Sequence, residues 1–310
     1  MNNVIIIVFP IFTLVLIGYL FGKTEILSDG NAKALNDYVY YIALPVLLFY
    51  ETAKTPLTEL LHYDFIAAVM CGNLAILVIS FFLGKVLFKH SVKCSSLYAF
   101  AATFSNTAFI GIPLFITAFG QDGTLPAIIT TIVGNIIVLG IVVVFVETSQ
   151  KSVNTAYEII YHSVISLLKN PLVVGSILGI LVAVTNISLP IALNNLLFMI
   201  SNSAAPVALI AIGLSMIGLG VRIKIDELLS LIVLKLLIFP LITFLIVTYV
   251  IVLDKDWAIS AIILSSLPTG TLAYVISQKY GLYIKESSSV FLVTTLLSVI
   301  TLPLLLYVYL

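Results

Sequence analysis

Long apolar stretches, each closed by a charge, Gly, Pro or Asn, follow one another along the whole chain. Read at the length of a bilayer-spanning helix, roughly 20 residues, they predict ten helices. These fall at 3–22, 34–52, 64–88, 95–118, 125–147, 170–186, 191–219, 228–252, 257–278 and 287–309. The second carries Asp37 and Glu51 near its ends. The longest polar connection, 148–169, is too short to hold a further domain. The first run has no basic residue before it and no small-residue cleavage site, so it reads as a first span rather than a removable signal peptide.

The pattern also repeats. Pro10 and Gly18 stand 161 residues before Pro171 and Gly179, and Pro45-Val46 stands 161 before Pro206-Val207. Asp64 matches Asp226 at a shift of 162, Phe119-Gly120 matches Tyr280-Gly281 at 161, and Thr130-Thr131 matches Thr294-Thr295 at 164. A nearly constant shift across five helices predicts two repeats, 1–147 and 170–310, joined by the loop 148–169. Five is odd, so the second copy enters the membrane from the opposite side, the inverted-repeat architecture of secondary transporters.

Composition turns this pattern into a membrane protein. Only 9% of the 310 residues are charged and 61% are hydrophobic, against roughly 25% charged in soluble domains. Pro171–Val221 contains no Asp, Glu, Lys or Arg and is long enough for two spans. The zero net charge says nothing about partners, but there is no basic patch for nucleic acid. Cys71 and Cys94 suggest neither a disulfide framework nor a metal site, and His62, His90 and His162 fall in loops without metal-like spacing. Lys and Arg in the connections after helices 1, 3, 5, 7 and 9 number eleven, against two after helices 2, 4, 6 and 8. The positive-inside rule then puts both termini outside the cell membrane and the central loop in the cytoplasm.

Two helices are chemically interrupted. Helix 4 reads Phe104-Ser105-Asn106-Thr107-Ala108-Phe109-Ile110-Gly111-Ile112-Pro113-Leu114, and helix 9 reads Leu264-Ser265-Ser266-Leu267-Pro268-Thr269-Gly270-Thr271-Leu272. Asn106 and Pro268 correspond at a shift of 162 and each lies eleven residues from the start of its run. That places both breaks about 16 Å into a hydrocarbon core roughly 30 Å thick. Proline removes a donor and obstructs the preceding turn, and freed backbone groups in hydrocarbon cost several kcal/mol unless buried or facing a cavity. The half-helices starting beyond the breaks would aim positive dipole ends at midplane, which favours an anion. An ordinary proline kink is the plainer alternative, and it is the reading given to Pro45, Pro206, Pro240 and Pro303.

The run Asn106-Thr107-Ala108-Phe109-x-Gly111-x-Pro113-Leu114 resembles the helix 4 motif of the auxin efflux carrier family. Leu44-Pro45-Val46-Leu47-Leu48-Phe49, Asn170-Pro171, Pro268-Thr269-Gly270 and Tyr280-Gly281 are also similar to its members. That family includes plant auxin exporters and bacterial malate or malonate permeases. The short central loop resembles the prokaryotic type. The resemblance implies a fold like that of the bile-acid symporters. Helices 1, 2, 6 and 7 would form a scaffold and helices 3–5 and 8–10 a moving transport unit, with helices 4 and 9 crossing at the substrate site. It also implies organic anion transport.

Other polar residues sit inside spans. Lys235 is the only charge well within one, at an insertion cost of roughly 2.5–3.5 kcal/mol for a central Lys. Either it snorkels to the surface, or it supplies a positive charge near the crossing, for the substrate or in place of a bound cation. Asn135 and Asn202 are amides needing partners, from a neighbouring helix or in the cavity. Asp37, Glu51 and Glu147 read as interfacial. Asn186-Ile187-Ser188 fits a glycosylation sequon.

The sequence therefore predicts an all-α polytopic membrane protein of ten transmembrane helices, built as two inverted five-helix repeats. Its expected function is alternating-access transport of small organic carboxylates. Asn106, Thr107, Gly111, Pro113, Asn202, Pro268, Thr269, Gly270, Asn135 and Lys235 are the candidate substrate-binding residues. Expected partners are a small organic anion, a coupling proton or cation for uptake, membrane lipid and, as one option, a second copy in a homodimer. No cofactor or metal is expected, and no nucleotide-binding loop or nucleophile–base pair marks an enzyme or ATP-driven pump. A ligand-binding sensor and a cation or proton antiporter are the rival readings. The first lacks an effector domain, and the second lacks acidic residues in helices 4 and 9.

Overall fold

A computed structural model describes residues 2–27, 29–148, 165, 168–185 and 189–309. The sequon Asn186-Ile187-Ser188, His162 and nearly all of the central loop lie outside the described residues, as does the Glu147 side chain. Among the described residues the fold is all helical, apart from one isolated antiparallel bridge.

The helices are α1 (Asn2–Lys23), α2 (29–54), α3 (Tyr63–Val86), α4a (Val92–Thr103), α4b (Thr107–Phe119), α5 (125–148) and α6 (Pro171–Thr185). They continue as α7 (Ile191–Ser215), α8 (Ile225–Val250), α9a (Lys255–Ser265), α9b (Thr271–Tyr280) and α10 (Ile284–Tyr309). Among the described residues six runs are long and apolar enough to cross a membrane: Val4–Lys23, Leu57–Val86, Leu125–Val146, Ile191–Ser215, Ile225–Val250 and Ile284–Tyr309. The other four predicted spans fall short for identifiable reasons. α2 has a polar first half with Asp29, Lys33 and Asp37, α6 is described over only 15 residues, and α4 and α9 are broken in the middle.

Outward-facing side chains are as apolar as buried ones. Ile6, Phe9 and Leu304 are each more than 60% exposed, the reverse of a soluble surface and what lipid requires.

Proline shapes the helices at recurring spacing. The widened π-helical turns Val39–Ala43, Thr107–Gly111 and Leu234–Ile238 each end two residues before a proline, Pro45, Pro113 and Pro240. The ring denies one amide and crowds the turn before it, so that turn opens by one residue.

The chain divides into two compact units. One comprises Met1–His62, Ala108–Ile132 and Leu168–Gly218; the other comprises Tyr63–Thr107, Val133–Leu167 and Leu219–Leu310. In the first, α1 packs on α7 and α2 on α6. Both pairs touch backbone to backbone. A Cβ on Gly18 would fall 2.2 Å from the Ile210 carbonyl oxygen, and one on Gly179 would fall 2.6 Å from that of Phe49. Small residues give such close packing, which holds helices together where lipid is as apolar as the side chains.

In the second unit, one end of the bundle is tied by a polar cluster. His90 Nε2 lies 2.7 Å from Glu227 Oε1, and the Tyr283 hydroxyl donates to the same oxygen. Tyr98 Oη lies 2.7 Å from Ser230 Oγ. Burial, with the Glu227 carboxylate beside it, pushes the Tyr283 phenol far up, so it stays a donor.

The glycine contacts are testable. Gly179→Leu should lower the detergent-solubilised melting temperature, since overpacking costs about 1–3 kcal/mol or more where backbone opposes it. Leu181→Ala, at a side chain 55% exposed, is the control expected to change little.

A candidate substrate site where two broken helices meet

Both interruptions predicted from Ser, Asn, Thr, Gly and Pro are present, and they are joined to each other. α4a stops at Thr103, followed by an extended Phe104 at ψ 103°. α9a stops at Ser265, and the chain resumes as a helix only at Thr271. Between these ends Ser105 and Thr269 face each other in the isolated antiparallel bridge. The Asn106 amide donates to the Pro268 carbonyl at 2.9 Å, and the Gly270 amide to the Phe104 carbonyl at 2.8 Å. Each break thus satisfies the other, as buried backbone requires.

Neighbouring side chains complete the junction. Thr269 Oγ1 donates to the Ala101 carbonyl at 2.8 Å, and the Thr269 amide donates to Thr294 Oγ1 of α10 at 3.1 Å. In an unbroken helix that amide would return to the Ser265 carbonyl. The carbonyl instead accepts from Lys235 Nζ at 2.9 Å, and the same ammonium donates to Ser105 Oγ at 2.7 Å. Lys235 has no exposed surface and lies 4.6 Å from the Phe239 ring centroid. The snorkelling alternative is therefore overturned: the side chain turns into its own unit, toward a carbonyl freed by one break and a hydroxyl beside the other. Among the described residues no carboxylate pairs with it.

The predicted site residues separate into two groups. Asn106, Thr107, Pro268, Thr269, Gly270 and Lys235 lie at the junction and are all buried. Asn135 is 2% exposed, in the widened turn Gly134–Val138, where a Cβ on Gly134 would come 3.8 Å from the Phe104 ring. Gly111 and Pro113 are buried in the first unit, at the start of α4b. Asn202 also belongs to the first unit; it is exposed and accepts from Gln121 Nε2 at 3.3 Å. Thr107, Asn135 and Lys235 all occupy π-helical turns, a backbone form enriched at functional sites.

One group at the junction stands apart. Asn106 is 3% exposed, yet its Nδ2 donates to nothing among the described residues. A buried amide donor without an acceptor costs about 1–3 kcal/mol. Ser105, Ser265 and Thr294 are not among the predicted site residues; the signal for the first two is Lys235, because a buried ammonium requires oxygen acceptors.

An apolar helical protein with paired broken helices and a buried polar junction is a membrane transporter in architecture. The chain belongs to the membrane transport protein family, the auxin efflux carriers, whose family model matches residues 3–306. It is 27% identical to a Rhizobium meliloti protein named "Putative malonate transporter", over 97% of this chain and 94% of that one. It is 25% identical to the uncharacterized transporter YfdV of Escherichia coli, over 96% of this chain and 95% of that one. A mouse lysosomal cholesterol signaling protein matches 67% of this chain at 27% identity, within 25% of its own length. The chain is thus an integral membrane transporter, and the Rhizobium meliloti and Escherichia coli relatives are named as transporters.

Gly270 tests the junction. Its φ of −73° is ordinary, so the constraint is space: a Cβ would lie 2.7 Å from Phe104 Cδ1 and 3.2 Å from the Ser105 carbonyl oxygen. Gly270→Ala should lower the melting temperature, and Phe104→Leu in the same chain should recover part of that loss, a non-additivity expected only for contacting residues.

Proposed function

We propose that this protein is a secondary carrier of small organic carboxylates, malonate and malate first, that works by alternating access with substrate held at the α4/α9 junction. The unpaired Asn106 amide is the observation that carries this reading. It is a buried donor in search of an acceptor, and a carboxylate oxygen is a strong one. α4b and α9b begin at the junction, and their amide ends add positive potential. Thr107, Thr269 and Gly270 are the further junction contacts of this reading. Pro113 and Pro268 keep the backbone open, while Gly111, Asn135 and Asn202 are secondary contributors. The interrupted stretches carry Ser, Asn, Thr and a neighbouring Lys but no acidic residue, which favours an anion over a transported cation. The named malonate relative agrees with that sign of charge.

The architecture we assign is ten spans in two inverted repeats, 1–147 and 170–310, with both termini outside the cell membrane. Contact symmetry supports the repeat. Gly18 and Gly179 are 161 apart, and so are the residues they press upon, Phe49 and Ile210. Helices 1, 2, 6 and 7 serve as scaffold and helices 3–5 and 8–10 as the transport unit. The two compact units support this division, except that Ala108–Ile132 groups with helices 1, 2, 6 and 7. Outward movement of one negative charge is favoured by roughly 2.3 kcal/mol per 100 mV, inside negative. Efflux then needs no coupling ion, whereas uptake needs a proton, a cation or an exchanged anion.

Radiolabelled malonate uptake into proteoliposomes under an imposed potential tests the proposal. Asn106→Ala should lower flux about tenfold or more, since a hydrogen bond to a charged group is worth about 1.5–3 kcal/mol. Equal flux in the variant and the wild type would remove Asn106 from the site.

A further inference from the structure

The surroundings of Lys235 are those of a bound cation. α4a and α9a, of 12 and 11 residues, both end at the junction, so two carbonyl-bearing helix ends and two negative dipole ends converge there. Such helix ends and unwound carbonyls are where transporters of interrupted-helix design hold a free cation. Here the oxygens are already taken. Lys235 Nζ sits on Ser265 O at 2.9 Å and Ser105 Oγ at 2.7 Å, with the Phe239 ring face on another side. The Ser265 carbonyl is available because Thr269, its would-be donor, is bonded to Thr294. A widened turn at Leu234–Ile238, set by Pro240, carries Lys235 in its second position.

We propose that Lys235 is a positioning residue, a tethered cation that closes the two broken helix ends and orients Ser105 and, through it, Asn106. It acts through the protein oxygens that it holds, Ser265 O and Ser105 Oγ, rather than on the substrate. This rests on the junction being the transport site. The role predicts chemical rescue. Lys235→Ala removes the ammonium with its stem but leaves both oxygens, so an alkylammonium ion of similar length has a seat in the variant and none in the wild type.

The test has two readouts. In proteoliposomes, wild-type malonate flux should be unaffected by n-propylammonium or Na⁺ on both sides. Lys235→Ala should lose at least tenfold, and n-propylammonium should restore a saturable part of the flux. In detergent, n-propylammonium should raise the melting temperature of Lys235→Ala saturably and leave that of the wild type unchanged. Lys235→Met, which fills the space without charge, should fold, lack flux and ignore the amine. Wild-type flux in Lys235→Met would overturn the proposal. So would an amine response absent from both readouts of a folded Lys235→Ala. If the wild type carries no malonate at all, the substrate reading fails while the melting readout still decides the role of Lys235.

Discussion

A helix broken inside an apolar protein releases backbone groups that neither water nor lipid can satisfy. In this protein two breaks solve the problem jointly. The amide of Asn106 finds the carbonyl of Pro268, and the amide of Gly270 finds that of Phe104. Much of the second unit is arranged around that exchange. α10 contributes Thr294 to hold Thr269, α8 contributes Lys235 to hold Ser265, and Gly270 has no side chain because the Phe104 ring lies against it.

The exchange also separates two jobs within one short stretch. Main-chain atoms of residues 104, 106, 268 and 270 make the connection. The Asn106 side chain is thereby spared from holding structure, and its amide is left with an unspent donor. Charge is sorted in the same way, with the carbonyl end of α9a on Lys235 and the helices α4b and α9b beginning at Thr107 and Thr271.

Much of this was legible in the sequence because it depends on local chemistry. The breaks in α4 and α9 followed from polar residues and proline clustered within apolar runs, and they formed where expected. Helix limits differed by a few residues; α2 begins at 29 rather than 34, since Asp29–Tyr38 is helical yet too polar to register as apolar. What stayed hidden depends on direction. A lysine side chain is long enough to reach outward or inward, so composition could not choose for Lys235. Asn202, four residues ahead of Pro206, left a helix partner and the cavity both open in the sequence; it is exposed and accepts from Gln121. His90 and Glu227 are 137 positions apart, and neither carries a motif that would announce the other.

The bridge between Ser105 and Thr269 has a consequence for how such carriers diversify. Because the link is made by main-chain atoms, the side chains it displays can be exchanged without cutting it. A lineage built on this frame can therefore drift from one cargo to another by small steps at residues 106 and 107 while the main-chain link is kept. The spared amide of Asn106 is one setting of an adjustable surface, mounted on a joint whose strength does not depend on the setting.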